Sequence, residues 1–157
     1  MSFARVITCS DAASRRERED RSGVAVRALL EENGFPVDAI VVVPDDVDAI
    51  GGAIEAATGD GANLVVTTGG TGIAPRDVTP EAARRVCERE IPGFGEVMRA
   101  TSKMGPLSRS GAFTRGAALV VNLPGSVNGA TECLHAILYL IPHALELLTG
   151  ARVEKHP

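Results

Sequence analysis

The stretch Gly69-Gly70-Thr71-Gly72 puts three glycines in four residues, and the carboxylate of Asp77 follows closely. Glycines allow positive φ and a close approach of backbone to ligand. Successive N–H groups in such a turn can cradle anionic oxygens. No Gly-Lys-Ser/Thr follows and no G-x-G-x-x-G is present, so neither of the common nucleotide-loop signatures applies. A tight structural turn is the plain alternative. Asp77 stands ahead of Val78-Thr79-Pro80. There Thr79 suits a helix N-cap and Pro80 the first helical position, which leaves Asp77 for a turn or for chemistry. Pro44-Asp45-Asp46, before another helical stretch, reads first as ordinary capping. Yet two carboxylates at strand ends beside a phosphate-suited loop are also how Mg²⁺ is held at a triphosphate. That convergence makes Asp45 and Asp77 the candidate metal ligands and catalytic groups.

Other polar residues cluster in similar places. Ser10-Asp11 is followed by a charged segment ending in Asp20-Arg21-Ser22-Gly23, and Asn122-Leu123-Pro124-Gly125-Ser126 lies near the C-terminal end. Asn122 has amide donors and an acceptor for a heterocycle edge, and Ser126 could cap a helix. Arg76 and Arg109 could fork onto phosphate, or be solvated surface charge. His135 and His143 are eight residues apart. A metal pair on one helix is normally about four apart, so they read as packing or surface residues.

These residues need a scaffold that gathers them. Apolar, β-branched runs at 5–8, 39–43, 64–68 and 118–122 suit strands buried on both faces, as in parallel sheets. Helical patterns occupy 24–33, 47–57, 80–88, 95–102 and 129–148, the last with Pro142 as a kink or break. Glu88-Arg89-Glu90 reads as a solvated helix end, and 112–115 as a short extra strand within an irregular stretch. Alternating strand and helix imply a compact α/β fold with a mostly parallel sheet and helices on both faces. In such sheets ligands bind beyond the carboxyl ends of the strands, which is where the candidate residues fall. The expected organisation is one domain over 1–150 with a tail at 151–157.

Composition narrows the function. The net charge is −4 and there is no Trp and one Tyr. This argues against nucleic-acid and anionic-membrane partners. No run approaches the roughly 20 apolar residues of a membrane span. The three cysteines match no zinc spacing and, without a secretion signal, point to the cytoplasm. Each reads as a small core residue.

The blocks Ser10-Asp11, Asp20-Arg21-Ser22-Gly23, Pro44-Asp45, the run 67–72, the run 74–82, Ile91-Pro92-Gly93-Phe94, Leu107-Ser108-Arg109 and Asn122-Leu123-Pro124-Gly125-Ser126 occur in this order. In them the chain resembles the molybdopterin adenylyltransferase family, which includes bacterial Mog and MoaB proteins and the gephyrin G domain. The block from Thr67 to Ala82 is the most specific part. The resemblance implies ATP and molybdopterin as substrates, Mg²⁺ as cofactor, a homotrimer, and hand-over to a separate molybdenum-insertion protein. It places the essential carboxylates on Asp45 and Asp77. Its substrate-binding surface falls on Ser10, Asp11, Asp20, Ser22, Gly69, Gly70, Thr71, Gly72, Ser102, Ser108, Asn122, Pro124, Gly125 and Ser126. The Ser102 to Ser108 connection is shorter than in several relatives. The alternative within the same pathway is a non-catalytic molybdopterin-binding or scaffold module.

Overall fold

The computed structural model describes residues 2–150; the expected tail at 151–157 lies outside them. In chain order the strands are β1 (Ala4–Cys9), β2 (Val37–Val43), β3 (Leu64–Thr68), β4 (Arg89–Glu90), β5 (Gly111–Arg115) and β6 (Ala118–Leu123). The α-helices are α1 (Asp11–Ser14), α2 (Arg21–Glu32), α3 (Val47–Gly59), α4 (Thr79–Val86), α5 (Pro92–Arg99), α6 (Val127–Ile137) and α7 (Ile141–Leu148).

The strands form one mixed sheet in the order β2-β1-β3-β6-β5-β4. The first four are parallel, whereas β5 and β4 are added antiparallel at one edge. Residue alternation sends opposite faces of each strand into two cores. Val6, Val66 and Val121 pack with α2, α5, α6 and α7 on one side. Ile7, Val65 and Val120 pack with α3 and α4 on the other. β3 is buried along its whole length, which explains its unbroken apolar start. Register aligns Thr8 with Thr68 and Thr68 with Leu123. The carboxyl ends of β1, β3 and β6 therefore finish level, and the loops after them converge.

Two element-level expectations are revised, and the break expected at Pro142 is found. β2 lies at a sheet edge and is only partly buried, with Val37 and Ile40 against one core and Val43 against the other. Glu88 to Glu90 is no helix end: α4 stops at Val86, and Arg89 and Glu90 pair with Thr114 and Phe113 as an edge strand. The C-terminal helix is interrupted by a 3₁₀ turn at Leu138–Leu140, and Pro142 falls in the first turn of α7, where its missing N–H leaves no bond unmade. The extra strand expected at 112–115 is present as β5. Among the described residues, no helix is long and apolar enough to cross a membrane.

Candidate active site

Helix α2 leads from β1 to β2 over one face of the sheet, and α3 leads from β2 to β3 over the other. The loops after β1 and β3 thus diverge at a topological switch point, where α/β sheets bind ligands. A cavity of ≈ 710 Å³ opens there. Its lining includes Ser10, Asp20, Ser22, Asp45, Gly69, Gly70, Asp77, Gly125 and Ser126, so nine of the expected site residues share one space.

Each arrives by a local device. Ser10, Asp20 and Ser126 are N-caps of α1, α2 and α6, accepting from the N–H groups of Ala13, Gly23 and Gly129. These side chains hold helix starts against the cavity. Asp46, not Asp45, caps α3 through Ala49 N–H. Asp45 is thereby released toward the cavity. Its Oδ2 accepts Asp11 N–H at 3.0 Å, and its own N–H donates to Asp11 Oδ1 at 3.0 Å. Its Oδ1 is buried with no partner among the described residues. Burial raises the Asp45 carboxyl above its ordinary range against the Asp11 N–H bond, and the charges of Asp11 and Asp77 push the same way. Arg76 forks onto Asp11 at 2.9 and 3.0 Å, and this pairing, followed by the Asp45 N–H, holds Asp11 below the usual carboxylate range.

The glycine loop is built around close approaches. Gly69 and Gly70 have φ of +99° and +70°. A Cβ on Gly69 would run into the Cys9 carbonyl, and one on Gly70 into the Thr79 hydroxyl with Asp45 Oδ1 only 3.3 Å away. Gly69 N–H donates to Leu123 O at 3.0 Å, so the loop's amide donors for a ligand begin at Gly70. Gly125 packs against Gly69, where an added Cβ would lie 3.2 Å from the Gly69 Cα. Asp77 Oδ2 accepts Ala74 N–H at 2.9 Å, which makes it a turn-forming group as well as a cavity wall.

Three side-chain expectations change. Thr79 is not an N-cap: it lies inside α4, and its hydroxyl donates to Gly69 O at 2.8 Å. A buried hydroxyl is better used on a buried carbonyl, and Pro80 already relieves the helix start of one orphan donor. Arg76 and Arg109 are neither free phosphate forks nor simple solvated charges, since Arg76 pairs with Asp11 and Arg109 binds Gly72 O, Asp77 O and Glu81.

Asp11 borders the site through Asp45. Thr71, Gly72, Ser102, Ser108, Asn122 and Pro124 are not among the cavity-lining residues. Ser102 is exposed, and Ser108 Oγ lies 2.7 Å from Ser110 Oγ. Asn122 is fully buried: its Oδ1 accepts the Thr67 hydroxyl at 2.9 Å, and its Nδ2 has no partner among the described residues. Pro124 supplies its carbonyl to the Thr68 hydroxyl at 2.8 Å. Sequence reasoning missed Thr8, Arg18 and Val127, which also line the cavity, and placed Glu19 and Arg21, which line it too, only within the charged segment without a role of their own. The three charged residues of this set lie beyond α1, where the chain enters α2, and their place beside Asp20 and Ser22 is the signal that could have found them.

Cys9 touches the cavity but is no nucleophile: burial pushes its thiol up to about 12. Burial likewise lifts Cys87 to about 11. Among the described residues no group of three or more His, Cys, Asp or Glu could enclose a metal. Asp45 and Asp77 still suit Mg²⁺. That ion takes one or two carboxylates and completes its shell with water and substrate phosphates, and the unpartnered Asp45 Oδ1 is a hard oxygen of the required kind.

Comparison with known proteins agrees with this architecture. A family described as "Probable molybdopterin binding domain" matches residues 5–143. A Helicobacter pylori (strain J99) protein named molybdopterin adenylyltransferase is 43% identical over 152 residues, spanning 92% of this chain and 86% of its own. The crystal structure of the molybdopterin biosynthesis enzyme MoaB from Thermus thermophilus has a TM-score of 0.90 and 44% identity, covering 96% of this chain and 98% of that one. The tungsten cofactor synthesizing protein MoaB from Pyrococcus furiosus has a TM-score of 0.85 and 37% identity, covering 94% of this chain and 96% of that one. With its mixed sheet, its helices on both faces and a cavity at the switch point, the chain belongs to the Mog/MoaB family of molybdenum-cofactor biosynthesis.

Proposed function

We propose that this protein transfers AMP from ATP to the terminal phosphate of molybdopterin. An oxygen of that phosphate forms a bond to the α-phosphorus, the bond from the α-phosphorus to the bridging oxygen breaks, and pyrophosphate leaves. The attacking phosphate is ionised near neutral pH, so the step needs no general base, in keeping with a cavity that no His lines among the described residues.

The observation that carries the reading is Asp45. Its neighbour Asp46 takes the capping role, its Oδ1 has no partner among the described residues, and it shares a cavity with Asp77 and the Gly69–Gly70 backbone. Asp45 and Asp77 would hold Mg²⁺, which neutralises triphosphate charge when bound. The backbone at Gly70 admits phosphate oxygens close to the chain because no side chain stands there. Alignment of two bound reactants lowers a barrier by roughly 7–11 kcal/mol in favourable cases. Support from outside the chain is the name of the Helicobacter relative.

The test is direct. Purified protein incubated with molybdopterin, ATP and Mg²⁺ should yield adenylated molybdopterin by mass, and Asp77→Ala should abolish the product while molybdopterin binding persists. Wild-type protein that binds molybdopterin yet forms no adenylated product would instead be the pathway's non-catalytic binding module. We further infer a cytoplasmic homotrimer that passes its product to a separate insertion protein. Sedimentation reading a monomer at micromolar concentration would refute the assembly.

A further inference from the structure

We propose that Arg109 is a positioning residue that staples the neck of the Gly72–Asp77 loop and so fixes the direction of the Asp77 carboxylate. The loop leaves the core at Gly72 and returns at Asp77, and residues 73–76 between them are exposed. One guanidinium closes this excursion. Its Nε donates to Gly72 O at 2.9 Å and its Nη2 to Asp77 O at 2.8 Å, so both ends of the loop hang on a single rigid plane. Its Nη1 pairs with Glu81 on α4. Partial burial raises the Glu81 carboxyl, but the Arg109 hydrogen bond, the Glu81 backbone N–H and the charges of Arg109 and Arg84 together outweigh it and the net shift is downward, so the anchor stays charged. The backbone N–H of Arg109 adds a bond to Thr71 O at 2.7 Å.

The arrangement goes further than fastening a loop. Within the neck, Asp77 N–H donates to Ala74 O at 2.9 Å, and Asp77 Oδ2 accepts Ala74 N–H at 2.9 Å. The carboxylate is thus oriented by a turn inside the loop whose two ends, Gly72 and Asp77, Arg109 holds. A planar fork can satisfy two carbonyls and a carboxylate together, whereas an ammonium is a point charge that cannot reproduce the fork. Arg109 also lies between Ser108 and Ser110, whose hydroxyls are bonded to each other. The staple therefore ties that segment to the Asp77 loop as one body. Its consequence for turnover rests on the AMP-transfer reading; the staple itself does not.

Two measurements on the full chain separate these levels. Hydrogen exchange without ligand should show the Ala74 and Asp77 amides losing protection in Arg109→Met, partly in Arg109→Lys, and not in Glu81→Gln. Turnover in Arg109→Met should fall about 100-fold, the penalty of a roughly 1 Å misplacement of a reacting group. The KM for molybdopterin should stay within about three-fold, with Arg109→Lys intermediate and Glu81→Gln near wild type. Unchanged exchange at Ala74 and Asp77 in both Arg109 variants would overturn the staple. A Glu81→Gln defect as large as Arg109→Met would also overturn it, because the ion pair alone would then matter. If wild-type protein transfers no AMP, the function reading fails and the exchange pattern still decides the staple.

Discussion

Asp45 is held at a cost to the fold. Its Oδ1 is out of water with no donor among the described residues, and burial keeps its proton to higher pH than an unfolded chain would. Between the ordinary aspartate value and the raised native one, the folded state binds more protons. Stability from this group therefore falls as pH rises through that window, and the ionised residue is a liability above it. Asp45→Asn should accordingly melt a few degrees higher than wild type at neutral pH. The gain should vanish once the pH is below the ordinary aspartate range. Mg²⁺ should raise the melting temperature of the wild type and leave the variant unmoved, since only a ligand that binds the native state shifts the midpoint. Calorimetry across pH, with and without the ion, checks all three; an Asn variant that is less stable at neutral pH would remove Asp45 as the strained member of the site. This residue also marks what could be read in advance. Asp45 and Asp46 are chemically alike, and either could cap a helix. Only the point where α3 begins decides that Asp46 turns to the Ala49 amide and Asp45 to the cavity.

At the scale of elements, the loop after β3 is a folded object and not a flexible strap. Gly69 and Gly70 carry left-handed φ, and Thr79 reaches back from α4 to bind the Gly69 carbonyl. Removing that hydroxyl leaves a buried acceptor unsatisfied, so Thr79→Val should destabilise by about 1–3 kcal/mol. Thr79→Ser, which keeps the donor, should recover most of it. Denaturant titration measures both, and a Thr79→Val variant no less stable than Thr79→Ser would show that the bond to Gly69 O contributes nothing measurable. The apolar runs of β1, β3 and β6 and the long helices were legible because burial imposes their periodicity. Short elements were not. The two residues of β4 have no apolar signal, since both are exposed and only backbone pairing defines them. The four-residue α1 is set by the Ser10 cap, with no buried residue of its own. Thr79 was misplaced because capping propensity is local, while its partner Gly69 is brought near only by the tertiary fold.

The whole molecule sets the terms on which two anions meet. The chain carries a net charge of −4, and its cavity is lined by Glu19, Asp20, Asp45 and Asp77 against Arg18 and Arg21. Arg76 nearby is neutralised by Asp11. The long-range field therefore does not draw ATP or molybdopterin in, and affinity must come from short-range backbone donors and a divalent ion. A distinctive salt response is the result. With the divalent ion chelated, raising ionic strength to about 0.1 M shortens the screening length to roughly 10 Å and removes repulsion between protein and nucleotide. ATP affinity should then improve, by roughly two- to three-fold, as salt is raised from low to moderate levels. Most protein–nucleotide pairs with basic sites move the other way. At saturating Mg²⁺ the acidic pair is balanced locally, and the same change in salt should have little effect. Isothermal titration in chelator and in Mg²⁺ compares the two. Affinity that falls steadily with salt in chelator would mean that Arg18 and Arg21 dominate the field over the carboxylates, and the acidic pair could not be the feature that makes binding depend on a cation.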